Sequence, residues 1–151
     1  MTKPRLGAHI PWAQVATYLA PALELGLAPE IAIKGPELDV IAEQAILQTA
    51  EVLAQAGVRP RVHAPFFDLN PGALDPLIRQ ATGQRLEQTL RVASLMHADL
   101  MIIHPGVDKW RYPRLEQAWL DLALEFFPPL VERAGQSDCQ RRRFVSISCS
   151  S

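Results

Sequence analysis

Apolar positions in this chain change spacing in a repeating way, with short strand-like runs alternating with longer helical stripes. Arg5 to Ile10 reads as a first strand, and Pro11-Trp12 leads out of it. Trp12, Val15, Ala16, Leu19, Ala22 and Leu23 then recur at spacings of three and four, the period of a helix with one face on a core; Pro21 should kink or divide it. Glu30 to Lys34 is a second strand, closed by Gly35-Pro36. From Leu38 through Ala56 a long apolar stripe predicts a helix, with Gly57 at its C-terminal cap.

Pro60 to Ala64 is the third strand. After a loop, Asp75-Pro76 reads as N-cap and first turn of a third helix carrying Ile78, Thr82, Leu86, Leu90, Ala93 and His97 on one face. Leu100 to Ile103 is uninterruptedly apolar, as a strand covered on both faces requires. A fourth helix begins at Leu115, with Ala118, Trp119, Leu122 and Phe126 inward, and Pro128-Pro129 should end or kink it.

Four βα units whose connections are too long for hairpins call for a parallel sheet with right-handed crossovers. The expected fold is α/β, a parallel (βα)4 half of a TIM barrel over residues 1–134, since a closed barrel of eight units needs about 250 residues. Residues 135–151 read as an atypical tail, disordered or the product of a shifted reading frame. Five of the six serines, both cysteines and Arg141 to Arg143 fall there, although Phe144 to Ser148 alternates like a strand.

Composition narrows the class. With 151 residues, 48% hydrophobic and 21% charged, the chain matches an ordinary globular domain. A formal net charge of −1 provides no long-range attraction for nucleic acid. No run approaches the ~18 apolar residues of a membrane span, and Met1 to Gly7 has no apolar leader core, so a cytoplasmic location is expected. Cys139 and Cys149 lack CxxC spacing, and neither a phosphate-cradling glycine motif nor a nucleophile elbow is present.

The candidate chemistry lies at strand ends. His63 and His104 close the third and fourth strands, in His63-Ala64-Pro65 and His104-Pro105-Gly106. Consecutive parallel strands bring their C-terminal ends together, so the two imidazoles should meet and form half of a divalent-metal site. The plainer alternative is that each merely bonds a backbone carbonyl. Asp68 and Asp108, on the same two loops, are candidate carboxylate ligands. His9 and Lys34 end the first two strands and are candidate substrate-binding groups, with a solvated cap and a surface lysine as their plain readings. Phe66, Phe67 and Asn70 could floor or gate a pocket; Trp110 and Tyr112 could stack on a sugar or base face. His97, on the third helix, reads as structural.

The segments His63 to Gly72, Asp75 to Arg79, Arg85 to Gln88 and Ile102 to Gly106 resemble the xylose-isomerase-like TIM-barrel superfamily, which includes sugar phosphate isomerases and epimerases and endonuclease IV. The resemblance covers about residues 5 to 134. It implies metal-binding roles for His63 and His104, a divalent cofactor (Zn, Mn, Mg or Co) and a small sugar or sugar phosphate as substrate. It also implies further ligands from strand five onward, which this chain lacks, so the metal site would be partial and catalysis incomplete. Two alternatives follow: a non-catalytic half-barrel module that pairs as a homodimer to cover its open sheet edges, and an endonuclease IV-like phosphodiesterase. The absence of a basic surface speaks against nucleic acid as partner.

Overall fold

The computed structural model describes residues 6–106, 110, 112–136 and 145–147. Its elements are β1 (Gly7–Pro11), α1 (Val15–Glu24), β2 (Ala28–Ala32), α2 (Glu43–Gln55), β3 (Arg61–His63), α3 (Pro76–Leu95), β4 (Leu100–Ile103), α4 (Glu116–Gln136) and β5 (Val145–Ile147). The strands form one parallel sheet in the order 1-2-3-4-5, which is half of a TIM barrel as the alternating pattern predicts. No helix among the described residues is long and apolar enough to cross a membrane.

Register explains the core. Ile10, Ile31, Val62 and Met101 stand side by side across four strands, and all are buried. They share one cluster with Val15 and Leu19 of α1, Ile46 and Leu53 of α2, and Leu86 and Leu90 of α3. Because strand side chains alternate, the neighbours of that row face the other way. His9, Glu30, Ala32, Arg61 and His63 therefore share the inner face, on which the strand ends carry the candidate chemistry.

Four local readings change. α1 runs unbroken through Pro21, and α4 through Pro128 and Pro129. A proline inside a helix costs about 3 kcal/mol, but here buried residues lie on both sides: Leu19 and Ala22 in α1, Ala123 and Leu130 in α4. Their burial holds each helix to the core across the missing hydrogen bond. α2 starts at Glu43, not Leu38, because Gly35 to Asp39 first makes a 3-10 turn. Arg85 of α3 anchors that turn by a bidentate contact to the Asp39 carboxylate, which holds the Asp39 pKa below the ordinary carboxylate value. His97 is not on the face of α3; it follows the C-cap Met96 with φ 51°, exposed, in the left-handed position where glycine is usual.

The sheet also has a strand beyond the four predicted units. Val145–Ile147 pairs parallel with β4, inside the segment expected to be an atypical tail; residues 137–144 and 148–151 lie outside those described.

The loop from β3 to α3 is fixed by one buried side chain. Asn70 Oδ1 accepts from the Trp119 indole N–H at 2.7 Å and from the Gly72 N–H at 3.1 Å. Its Nδ2 donates to the Tyr112 hydroxyl at 2.7 Å, and its backbone N–H donates to the Thr82 hydroxyl at 2.9 Å. Asn70 thus ties the loop to α3, α4 and the β4–α4 connection. Gly72 completes the fit, since a Cβ there would stand 2.5 Å from the Trp119 side chain.

Leaving buried polar groups without partners costs about 1–3 kcal/mol each. Asn70→Ala should therefore lower unfolding stability by about 3 kcal/mol in urea titration, with loss of the fixed Trp119 environment in fluorescence. An unchanged midpoint would show that water replaces the amide at no cost.

Candidate metal centre

The β3–β4 register places His63 opposite Ile102. Two residues further along, His104 is on the same face, and the two rings meet: Nε2 to Nε2 is 3.0 Å and the ring centroids are 4.9 Å apart. His63 is 8% exposed and His104 half-buried. His63 Nδ1 is 2.9 Å from the Ala64 carbonyl oxygen, which can only accept. Nδ1 therefore carries the hydrogen, and in the neutral ring Nε2 keeps its lone pair. The carbonyl bond proposed as the plain alternative to a site role is thus the contact that makes His63 a competent ligand.

Burial is the main influence on the His63 titration and pushes its pKa below the ordinary imidazole value. The Ala64 carbonyl and the Glu30 carboxylate oppose that shift, while the like charges His104 and His9 would carry reinforce it. The ring is thereby kept in its neutral, metal-binding form. Phe66 closes one side, with its centroid 5.0 Å from His104 and 5.7 Å from His63.

Beside the histidines is a cleft of about 570 Å³. His9, Lys34, Phe67 and Asp68 line it together with His63 and Phe66. Three of the four predicted substrate-binding residues thus share one cleft with one predicted metal ligand. The fourth, Trp110, is 84% exposed and does not line it. Tyr112 is held in the Asn70 network rather than offered to a ligand. Asp68 lines the cleft with φ 62°, and Asp108 lies outside the described residues.

Two imidazoles with converging Nε2 atoms fit a divalent ion. With metal–nitrogen distances of ~2.1 Å, a 3.0 Å separation corresponds to a ligand angle of about 90°. Among the described residues no group of three histidine, cysteine or carboxylate side chains is close enough to hold an ion.

Sequence reasoning missed three supports. Glu30 lies opposite His9 in the register and is 3.2 Å from its Nδ1; aligning the strands would have shown it. The Arg85–Asp39 anchor joins elements 46 residues apart, and nothing local marks it. Gly106 has φ 71°, and a Cβ there would stand 2.6 Å from the Leu69 carbonyl oxygen, so this glycine lets the two histidine loops touch.

The profile of the family described as Xylose isomerase-like TIM barrel matches residues 20–139. The chain belongs to that family. Among solved structures, the xylose isomerase-like chain is similar to the TTHB071 protein of Thermus thermophilus, from a crystal soaked with ZnCl2. That match has TM-score 0.73 and 26% identity and covers 96% of this chain and 57% of that one. A D-tagatose 3-epimerase-like protein matches at TM-score 0.71 and 21% identity, over 91% of this chain and 51% of the other. Endonuclease IV from Thermus thermophilus matches at TM-score 0.58 and 21% identity, over 95% and 51%. The xylose isomerase-like chain therefore spans about half the length of these proteins. No curated protein matches its sequence.

Gly106 and Gly26 together isolate the loop contact. Both have φ near 70°, but nothing lies within 4 Å of a Cβ at Gly26. Gly26→Ala should cost only the left-handed strain of about 1 kcal/mol, whereas Gly106→Ala should cost more and separate the two imidazoles. Urea midpoints and the imidazole nitrogen resonances check this; equal losses for both variants would refute the loop contact.

Proposed function

We propose that this chain supplies the first two protein ligands and one substrate wall of a divalent-metal centre in a sugar or sugar-phosphate isomerase or epimerase. The observation that carries the reading is the meeting of the His63 and His104 Nε2 atoms at 3.0 Å, beside a cleft that also holds His9 and Lys34. Among similar structures, one is a D-psicose 3-epimerase with D-tagatose and another a D-allulose 3-epimerase with D-allulose. Those sugars are bound by those proteins, and they make a ketose-sized polyol the first substrate class to try here.

A divalent ion held there would polarise a carbonyl or hydroxyl oxygen and ease loss of the neighbouring proton. The chain's own residues do the rest of the positioning. Phe66 keeps water from one side of both imidazoles, and Phe67 stacks on it with centroids 4.4 Å apart. Lys34 offers an ammonium to an anionic substituent such as a phosphate, and Asp68 can accept from sugar hydroxyls. The acid and base that move the proton belong, in this reading, to parts of the barrel beyond β1–β5. A phosphodiesterase reading is less well supported, because a formal net charge of −1 gives no field to gather a polyanionic backbone.

The purified chain should bind close to one zinc ion. His63→Ala and His104→Ala should each weaken binding at least tenfold by competition with a chromophoric chelator, without loss of helical circular dichroism. Absence of zinc binding by the parent, or undiminished binding by both variants, would refute the reading. An abasic DNA duplex should show no binding at physiological salt; tight binding would favour the nuclease branch.

A further inference from the structure

We propose that His9 is a third imidazole ligand of this centre, oriented for that role by Glu30. The inference rests on the metal reading above and adds to it a ligand from β1.

The β1–β2 register sets His9 opposite Glu30, and the β2–β3 register sets Ala32 opposite His63, so His9, Glu30 and His63 share the inner face. Glu30 Oε1 is 3.2 Å from His9 Nδ1. A carboxylate accepts and does not donate, so Nδ1 carries the hydrogen and Nε2 of the neutral ring keeps its lone pair. His63 is arranged likewise, with Nδ1 on the Ala64 carbonyl. An Nδ1–H given to a carboxylate or a carbonyl, with Nε2 left for the ion, is how metal-binding histidines are held in their working tautomer. Two imidazoles, on β1 and β3 with β2 between them, meet that requirement independently.

Distances agree. Rings bound through Nε2 to one ion at ~2.1 Å have centroids about 4.6–5.6 Å apart as the ligand angle goes from about 90° to about 120°. His63 and His104 are 4.9 Å apart, and His9 and His63 5.6 Å, at the upper end of that range. No three ligand groups among the described residues already converge. What is missing is a small approach of His9, whose side chain is 56% exposed and has room to make it. His9 also lines the same cleft as His63, so the ion would sit where the cleft opens. Three nitrogen ligands would then leave a coordination position for water or substrate. A purely structural His9–Glu30 surface pair would contribute little to stability and nothing to metal affinity.

The test is zinc affinity by chelator competition, with the visible spectrum of bound Co²⁺, on the 151-residue chain and its His9→Ala, His9→Gln, Glu30→Gln and His63→Ala variants. His9→Ala and His9→Gln should each lose at least tenfold in zinc affinity and alter the Co²⁺ bands, with circular dichroism unchanged. Glu30→Gln should lose about tenfold, in line with other outer-shell partners. If both His9 variants bind zinc like the parent with an unaltered Co²⁺ spectrum while His63→Ala loses it, His9 is not a ligand and the two-histidine reading survives alone. If His63→Ala also binds like the parent, the metal reading falls and this inference with it. Loss in the His9 variants without loss in Glu30→Gln would leave His9 as ligand and overturn the orienting role of Glu30.

Discussion

Parallel pairing of β3 with β4 in a single register is the constraint on which the site depends. With His63 opposite Ile102, the period of two carries His104 to the face that His63 occupies, one step beyond the strand. A slip of one residue would turn one imidazole into the helix layer and break the buried row of Ile10, Ile31, Val62 and Met101. The core and the site are therefore specified together: the same alternation that hides four apolar side chains puts the polar ones at the rim.

Register alone would bring the rings only roughly together; the loops set the final separation. Asn70 pins the β3–α3 loop from inside, and Gly106 lets the β4–α4 connection lie against Leu69. On the far wall of the cleft, Arg85 and Asp39 hold the turn that carries Gly35 and Pro36. Each support comes from a different helix–loop junction. The cleft is thus braced by contacts that lie outside its lining, an arrangement that leaves His9, Lys34 and Asp68 exposed within it.

Much of this was legible in the sequence because it is periodic. The alternation of strand and helix spacing, the Asp75-Pro76 helix start and the pairing of His63 with His104 all follow from rules local in sequence. Prolines misled, because their cost is local while the burial of Leu19, Ala22 and Leu130 that outweighs it is not. The start of α2 misled for a similar reason: Leu38 and Ile41 pack against the core from a turn, as well as they would from a helix. Trp110 looked like a stacking surface because aromatic residues on a loop after a site histidine fit that role; its 84% exposure away from the cleft lining depends on a loop path that no spacing rule reports. Glu30 was hidden inside a strand, where a charged residue reads as solvent-facing until the neighbouring strand is aligned with it.

The 3.0 Å contact between the two Nε2 atoms carries one more consequence. Two nitrogen lone pairs at that separation repel, so one atom must hold a hydrogen when no ion lies between them. His63 has its hydrogen on Nδ1, facing the Ala64 carbonyl, and burial opposes a second one. The bridging hydrogen is then on His104. A cation held there would take the place of that hydrogen, with the proton passing to Nδ1 of His104, and the rings stand at a separation an ion would accept. The ring geometry is thus held by an N–H···N bond, so little of a cation's binding free energy would go into moving side chains.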